Sequence, residues 1–408
     1  MNTRTQARAN LSLTAHVQFL IRKNAALRFL FLALLFSMLG FPLVSRTYAA
    51  GVVGTGTPSS CTETALDTAL TGCGTVTFNC GGAATITVTS PKTISSDTTI
   101  DGGGLITISG GNSVRVFTVN HGIALNLRNL AVSDGGGVGH AAGGAVYNWG
   151  GTVTIDNSSF LNNSVIAGGG AICNYDYPFA PPSQGVMTIS NSTFSGNRTT
   201  AGSGGGSAID NGSVLTVTNS TFFNNTSGGS GTIGNGNGTV NITNSTFFSN
   251  SVAIQGGGIY AYGGTVNVVN NTFSGNNATT AGGSIFNESA LVTLYNTIVA
   301  NSTSGGNCSG TITNGGYNLD SGATCGFGTT SGSLSNTNPL LAPLGNYGGR
   351  TQTMGLLSGS PAIDAVIGNA NCPATDQRGV ARPQGTWCDI GAFEGVVRIL
   401  FLPLILKK

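Results

Sequence analysis

The chain has 408 residues, of which 7% are charged and 65 are glycine, with 16 basic side chains against 14 acidic ones. Such sparse charge forms no basic patch and argues against a nucleic-acid partner. So much glycine would mark low complexity, were it not for short, regularly spaced runs of Val, Ile and Phe that can supply a core.

Residues 1–49 read as a signal peptide. They hold Arg4, Arg8, Arg22, Lys23, Arg28 and Arg46 and no acidic residue, followed from Phe29 by an apolar run to Val44 and then small residues ending at Ala49. That run is 16 residues, interrupted by Gly40 and Pro42, and is short for a membrane span. Cleavage after Ala49 leaves ten basic against fourteen acidic residues, a net charge of −4.

Residues 50–82 are expected to form an amino-terminal cap. Ser60-Cys61-Thr62-Glu63 has the pattern of a capping box, and Ala65, Leu66, Ala69 and Leu70 would share one helical face. A short amphipathic helix of this kind would cover the open end of a stack of strands. Irregular first coils follow, from Val76 to Val132.

Between Gly143 and Asn301 one unit is written six times. Each copy opens on a small-residue corner and an apolar residue, as in Gly143-Gly144-Ala145-Val146 or Gly257-Gly258-Ile259. Each closes on a bulky apolar residue with asparagine three positions later: Phe160/Asn163, Phe194/Asn197, Phe222/Asn225, Phe247/Asn250, Phe273/Asn276 and Ile298/Asn301. The steps are 34, 28, 25, 26 and 25 residues, the first lengthened by an insertion from Tyr175 to Gln184. Runs such as Val153-Thr154-Ile155 alternate with period two and are rich in β-branched residues, which specifies strands. A unit of this size cannot bury a face alone and must stack on its copies. About thirteen parallel coils are expected, with Phe, Val and Ile in continuous interior columns. Asn163, Asn197, Asn225, Asn250, Asn276 and Asn301 would form a structural ladder along the stack, as would Asn157, Asn191, Asn219, Asn244 and Asn270.

The alternation of Gly-Gly-Ala-Ile with Phe-x-x-Asn resembles the repeats of bacterial polymorphic outer-membrane proteins and, more broadly, right-handed parallel β-helix proteins of the pectin-lyase-like class. The resemblance implies an all-β fold, a single-stranded right-handed parallel β-helix (solenoid) with a short N-terminal helical cap, displayed as an adhesin-like surface.

Eight cysteines in an exported chain point to disulfides. Nearest spacing suggests Cys308 with Cys325 and Cys372 with Cys388, and Cys61 with Cys80 would tie the cap to the first coil. The pairing of Cys73 and Cys173 is open. With no Cys-x-x-Cys and three histidines, no metal site is expected, and no cofactor.

Enzymes on this fold gather acidic and basic groups on one face, and glycoside hydrolysis needs two carboxylates within roughly 5 to 9.5 Å. Asp156, Asp176, Asp210 and Glu288 occupy different places in the repeat and form no column, and Asp101 and Asp134, near His121 and His140, read as turn caps. Three or more of Asp, Glu, His, Lys or Arg converging in one groove would reverse this reading. Aromatic residues at the corners and in the insertion, namely Tyr147, Trp149, Tyr175, Tyr177, Phe179, Tyr260 and Tyr262, suit stacking on sugar rings. Tyr175, Tyr177, Phe179, Tyr260 and Tyr262 are the candidate ligand-binding residues.

The β-helix is expected over 83–335 and a distinct terminal module over 336–394. The module runs through Gly348-Gly349-Arg350-Thr351, Gly359-Ser360-Pro361-Ala362-Ile363-Asp364, Asp376-Gln377-Arg378-Gly379 and Cys388-Asp389-Ile390-Gly391-Ala392-Phe393-Glu394. This series resembles the carboxy-terminal choice-of-anchor Q domain of exported bacterial β-helix proteins, which implies a terminal cap before a sorting tail. Its charged residues, Asp364, Asp376, Arg378, Arg382, Asp389 and Glu394, read as ion pairs and turn caps. Residues 395–408 are an apolar and basic tail suited to sorting, and with no run of barrel strands after the repeats an export route other than autotransport is expected. The expectation is a secreted or cell-surface, monomeric, non-catalytic scaffold that binds a surface glycan or a cell-envelope component. A pectin-lyase-like lyase or hydrolase and a purely structural envelope protein are the alternatives.

Overall fold

The computed structural model describes residues 51–137, 141–175, 185–202 and 205–395. The targeting segment, His140, the insertion residues Asp176, Tyr177 and Phe179, and the tail from residue 396 lie outside the described residues.

The chain is a parallel β-solenoid. Among the described residues the strands build three parallel sheets of nineteen, nine and five strands, plus one antiparallel hairpin. One coil illustrates the rest. Ile233–Asn235 lies in the nine-stranded sheet, Thr239–Thr243 and Thr246–Phe248 lie in the nineteen-stranded sheet, and Ser251–Val252 lies in the five-stranded sheet. Val240, Ile242 and Phe247 point inward and are fully buried, whereas Thr239, Asn241 and Thr243 face out, as period-two alternation requires. The bend between the two strands of the nineteen-stranded sheet falls on a residue with positive φ. Asn157, Asn191, Asn219, Asn244, Asn270 and Asn296 all lie there at φ of 48 to 52°. Asparagine tolerates the left-handed region better than other non-glycine residues, which accounts for the first asparagine column.

Stacking is in register. Phe160, Phe194, Phe222, Phe247 and Phe273 pair in sequence and form one interior row with ring centroids 4.6 to 4.8 Å apart. The second asparagine set forms a buried ladder: Asn163 Nδ2 donates to Asn197 Oδ1 at 2.9 Å, Asn197 to Asn225 at 3.0 Å, Asn225 to Asn250 at 2.9 Å and Asn250 to Asn276 at 2.9 Å. Asn301 is the exception. Phe273 pairs with Val299 rather than Ile298, so Asn301 falls in a left-handed turn with Asn162, Asn224 and Gly275. Ile298 instead faces outward, against Ala362, Val366 and Ile390 of the terminal module. An apolar residue buried from outside imitated an interior one, which shifted the expected register by one.

The nine-stranded sheet counts nine coils rather than thirteen. The early apolar runs are paired segments of shared coils: Gly74–Val76 pairs with Thr98–Ile100, and Ala84–Thr87 with Ile106–Ser109, both within the single strand Thr98–Ser109.

The helix Glu63–Thr71 closes the amino-terminal end with Leu66 and Ala69 buried in the core. Its N-cap is Thr62, which accepts from Ala65 N, and not Ser60, which is held in a preceding turn by Thr57 O and Thr55 N. Glu63 turns away from the helix to Lys92 (2.6 Å) and Thr89 (2.8 Å). Disulfides join Cys61 to Cys80, Cys308 to Cys325 and Cys372 to Cys388, while Cys73 and Cys173 are free thiols.

The terminal module does not continue the stack. It runs back over the flank of the coils, along the column of hydroxyls that precede the phenylalanines. Thr221 donates to Gln352 O, Thr246 to Gln377 Oε1 at 2.7 Å, and Thr272 accepts from Ala392 N at 3.0 Å. Threonines at these outward positions are buried because the module covers them.

Candidate functional site

Strand residues two apart share a face, so the outward positions of the nine-stranded sheet form two columns. Register places Tyr147, Cys173, Asp210, Gly234, Tyr260 and Phe286 in the first. Trp149 and Tyr175 are paired in the second, which continues through Gly212, Gly236, Tyr262 and Glu288. Three of the five expected binding residues, Tyr175, Tyr260 and Tyr262, thus meet on one face with Trp149 and Tyr147. Tyr177 and Phe179 lie outside the described residues.

Tyr175 lies along the stack over two coils that have no side chain beneath it. A Cβ on Gly212 would come within 2.4 Å of Tyr175 Cε1, and one on Gly236 within 2.5 Å of Tyr175 Oη. The two glycines therefore make the bed in which the ring rests. Trp149 and Tyr262 are 44% and 49% exposed, so aromatic surface faces solvent on either side of that bed. Tyr260 stacks on Phe286 at 5.8 Å and donates its hydroxyl to Glu288.

Asp210 lies beside these rings, hydrogen-bonded to Tyr175. Its carboxylate packs against Gly168 so closely that a Cβ there would meet Oδ2 at 2.2 Å. Burial outweighs the Tyr175 hydrogen bond and pushes the carboxyl up to about 7. The Cys173 thiol is raised above its ordinary value, by burial first and then by Asp210, which keeps it protonated and unreactive. Arg115 is the cation whose charge acts on Tyr147 and Cys173, and it is already committed: its guanidinium lies 4.6 Å over Tyr147, and Nε and Nη2 donate to Gly143 O and Ala142 O at 3.0 and 2.7 Å.

The remaining acidic groups do not converge here. Asp156 is on the nineteen-stranded sheet, accepting from Ser190 and Asn191. Asp101 accepts from Gly103 N and Asn129, and Asp134 from Ser109 and Ser133, so both support turns. The charged residues of the terminal module do meet, but in its interior. Arg382 pairs with Glu394 at 2.9 Å and Arg378 with Asp376 at 2.6 Å. The carboxylates also accept backbone N–H groups of Asp364, Gln384, Asp389, Glu394 and Gly395. With Asp376, Asp389 and Glu394 at 2% exposure or less, this network holds the module together and presents nothing to a substrate. No group of three or more His, Cys, Asp or Glu suited to a metal ion occurs among the described residues.

Sequence reading missed a second buried amide ladder. Asn148, Asn174, Asn211 and Asn235 bond in succession at 2.8 to 2.9 Å inside the nine-stranded sheet, and the signal was the spacing of an apolar residue followed two positions later by asparagine. Aligning the same strands would also have placed Asp210 between Cys173 and Gly234.

The fold and the aromatic face define a β-solenoid with a candidate ligand surface on its nine-stranded sheet. Comparison of the chain with protein-family models, curated proteins and solved structures finds no match.

Proposed function

We propose that this protein is a secreted or cell-surface β-helix scaffold that binds a glycan, without catalysis, on the outer face of its nine-stranded sheet. The observation that carries the reading is Tyr175 bedded on Gly212 and Gly236 with Trp149 and Tyr262 exposed beside it. Aromatic rings laid flat along a rigid sheet offer the apolar contact that a pyranose face needs. Trp149 and Tyr262 are four coils apart, or about 19 Å at roughly 4.8 Å per coil, a span suited to an oligosaccharide rather than a single sugar. Three disulfides suit an oxidising compartment. The resemblance of the terminal module to choice-of-anchor Q domains supports an exported, displayed protein.

A glycan array probed with the purified protein tests this. A defined binding profile that falls by about tenfold or more in Tyr175→Ala and Tyr262→Ala is expected, on the scale of a lost aromatic anchor. No binding to any glycan by the folded protein would favour the structural envelope reading. Unsaturated products released from uronic-acid polymers would favour the lyase.

A further inference from the structure

We propose that the glycan bound on this face carries a free amino group, whose ammonium pairs with Asp210 beside the Tyr175 hydroxyl. This rests on the glycan reading above and narrows it.

The face carries a charge imbalance. Asp210 is the only carboxylate in the column that runs from Tyr147 to Phe286, and among the described residues no Lys or Arg lies within ion-pairing distance of it. Arg115, three coils away, spends its donors on Gly143 O and Ala142 O and its charge on the Tyr147 ring. A carboxylate partly withdrawn from water without a cation is costly, and here burial raises its affinity for a proton. Asp210 is only part-buried, so a ligand ammonium can reach it and supply the missing charge where water screens it weakly.

The surroundings suit a cation. Tyr147 already holds a guanidinium over its face, which shows what this aromatic column accepts. Tyr175 contributes a ring and a hydroxyl at Asp210, and Gly234, the next position, brings no side chain of its own before Tyr260. An acidic sugar would meet the opposite: a second negative charge against Asp210, with the one basic side chain committed elsewhere. The groups facing Asp210 are Tyr175, Cys173 and Tyr147, and burial holds all three above their ordinary values, so Asp210 alone among them titrates near neutrality.

Calorimetric titration of the full chain with three probes tests the inference: a glucosamine oligomer, its fully N-acetylated counterpart and a galacturonate oligomer. At pH 7.5 the glucosamine oligomer is expected to bind at least about tenfold more tightly than the N-acetylated one, as a partly desolvated charge pair would give. This preference should shrink at pH 5.5, where Asp210 takes up a proton, a readout on the unaltered chain that needs no substitution. Asp210→Asn should abolish the preference, bringing the two oligomers to equal affinity. Equal binding of the two oligomers at both pH values would overturn the amine assignment and leave the glycan reading standing, as would tightest binding of the galacturonate. Failure of all three probes to bind the folded chain, together with an empty glycan array, would remove the glycan reading as well.

Discussion

Replacing Asn225 with alanine tests what holds the coils in register. This side chain is fully buried and connects three coils. Its Oδ1 accepts from the backbone N and the Nδ2 of Asn197, both at 3.0 Å, while its Nδ2 donates to Phe194 O at 3.0 Å and Asn250 Oδ1 at 2.9 Å. Truncation orphans two donors of Asn197 and the carbonyl of Phe194 in a dry interior. At about 1 to 3 kcal/mol for each of these three unsatisfied buried groups the loss is roughly 3 to 9 kcal/mol, a large part of a typical domain stability of about 5 to 15 kcal/mol. The control is Asn241→Ala, on the outer face of the same stack, where the side chain accepts one bond from Asn267 at 3.0 Å. That change should cost no more than about 1 kcal/mol. Urea unfolding followed by circular dichroism compares the two. A cost for Asn225→Ala below about 1 kcal/mol, or equal to that of Asn241→Ala, would refute the claim that the interior amides hold the coils together.

Three further outcomes follow from the same geometry. Gly212→Ala places a Cβ 2.4 Å from Tyr175 Cε1 and should expel the ring, lowering glycan affinity to the level of Tyr175→Ala; unchanged affinity would contradict the glycine bed. Lys92 and Thr89 outweigh the burial of Glu63 and hold its carboxyl down to about 2, so its contribution is complete above about pH 4.5 and is lost as pH falls toward 2. Burial instead raises Asp389 from 3.8 to about 7, so the folded state loses stability as pH rises through that window, by at most about 1.4 kcal/mol per pH unit. Thermal melts from pH 2 to 8 should show both limbs, and Asp389→Asn should reduce the upper one to the part that Asp210, raised to the same value, contributes. Gln377→Ala removes the carboxamide that joins Thr221, Thr246 and Thr351, and limited proteolysis should then release the terminal module while the coils resist; cleavage at the parent rate would refute the docking role.

Much of the solenoid was legible because its interior repeats. Phe at steps of 25 to 34 residues and asparagine three positions later state a column and a ladder directly, two cysteine pairs followed from proximity along the chain, and the third, Cys61 with Cys80, from the need to tie the cap to the first coil. Contacts between distant parts of the chain were not legible. Ile298 looks like an interior residue until the terminal module is seen to bury it from outside, and Lys92 gives no sign in sequence of its partners Glu63 and Asp67. Of the candidate site, Tyr175, Tyr260 and Tyr262 could be named, but Asp210 could not be joined to them. Its neighbours Tyr175 and Gly234 are 35 and 24 positions away, and only the register makes them adjacent.

The two sides of the nine-stranded sheet obey different rules, and the difference supports the proposed binding face. Inside, Val146, Ile172, Ile209, Ile233, Ile259 and Ile285 stay nearly identical, because each must pack on its copy one coil away. Outside, over the same six coils, the residues run Tyr147, Cys173, Asp210, Gly234, Tyr260 and Phe286, and of the neighbours only Tyr260 and Phe286 are alike. Stacking alone would permit any polar residue there, as the repeated threonines of Thr154, Thr188 and Thr216 on the nineteen-stranded sheet demonstrate. A column in which aromatic, acidic and glycine residues replace that default must answer to something other than the stack. Asp210 and Tyr175 are therefore the residues to change first, because the coils, held by their amide ladders and phenylalanine row, should survive the loss of either and leave binding as the property that responds.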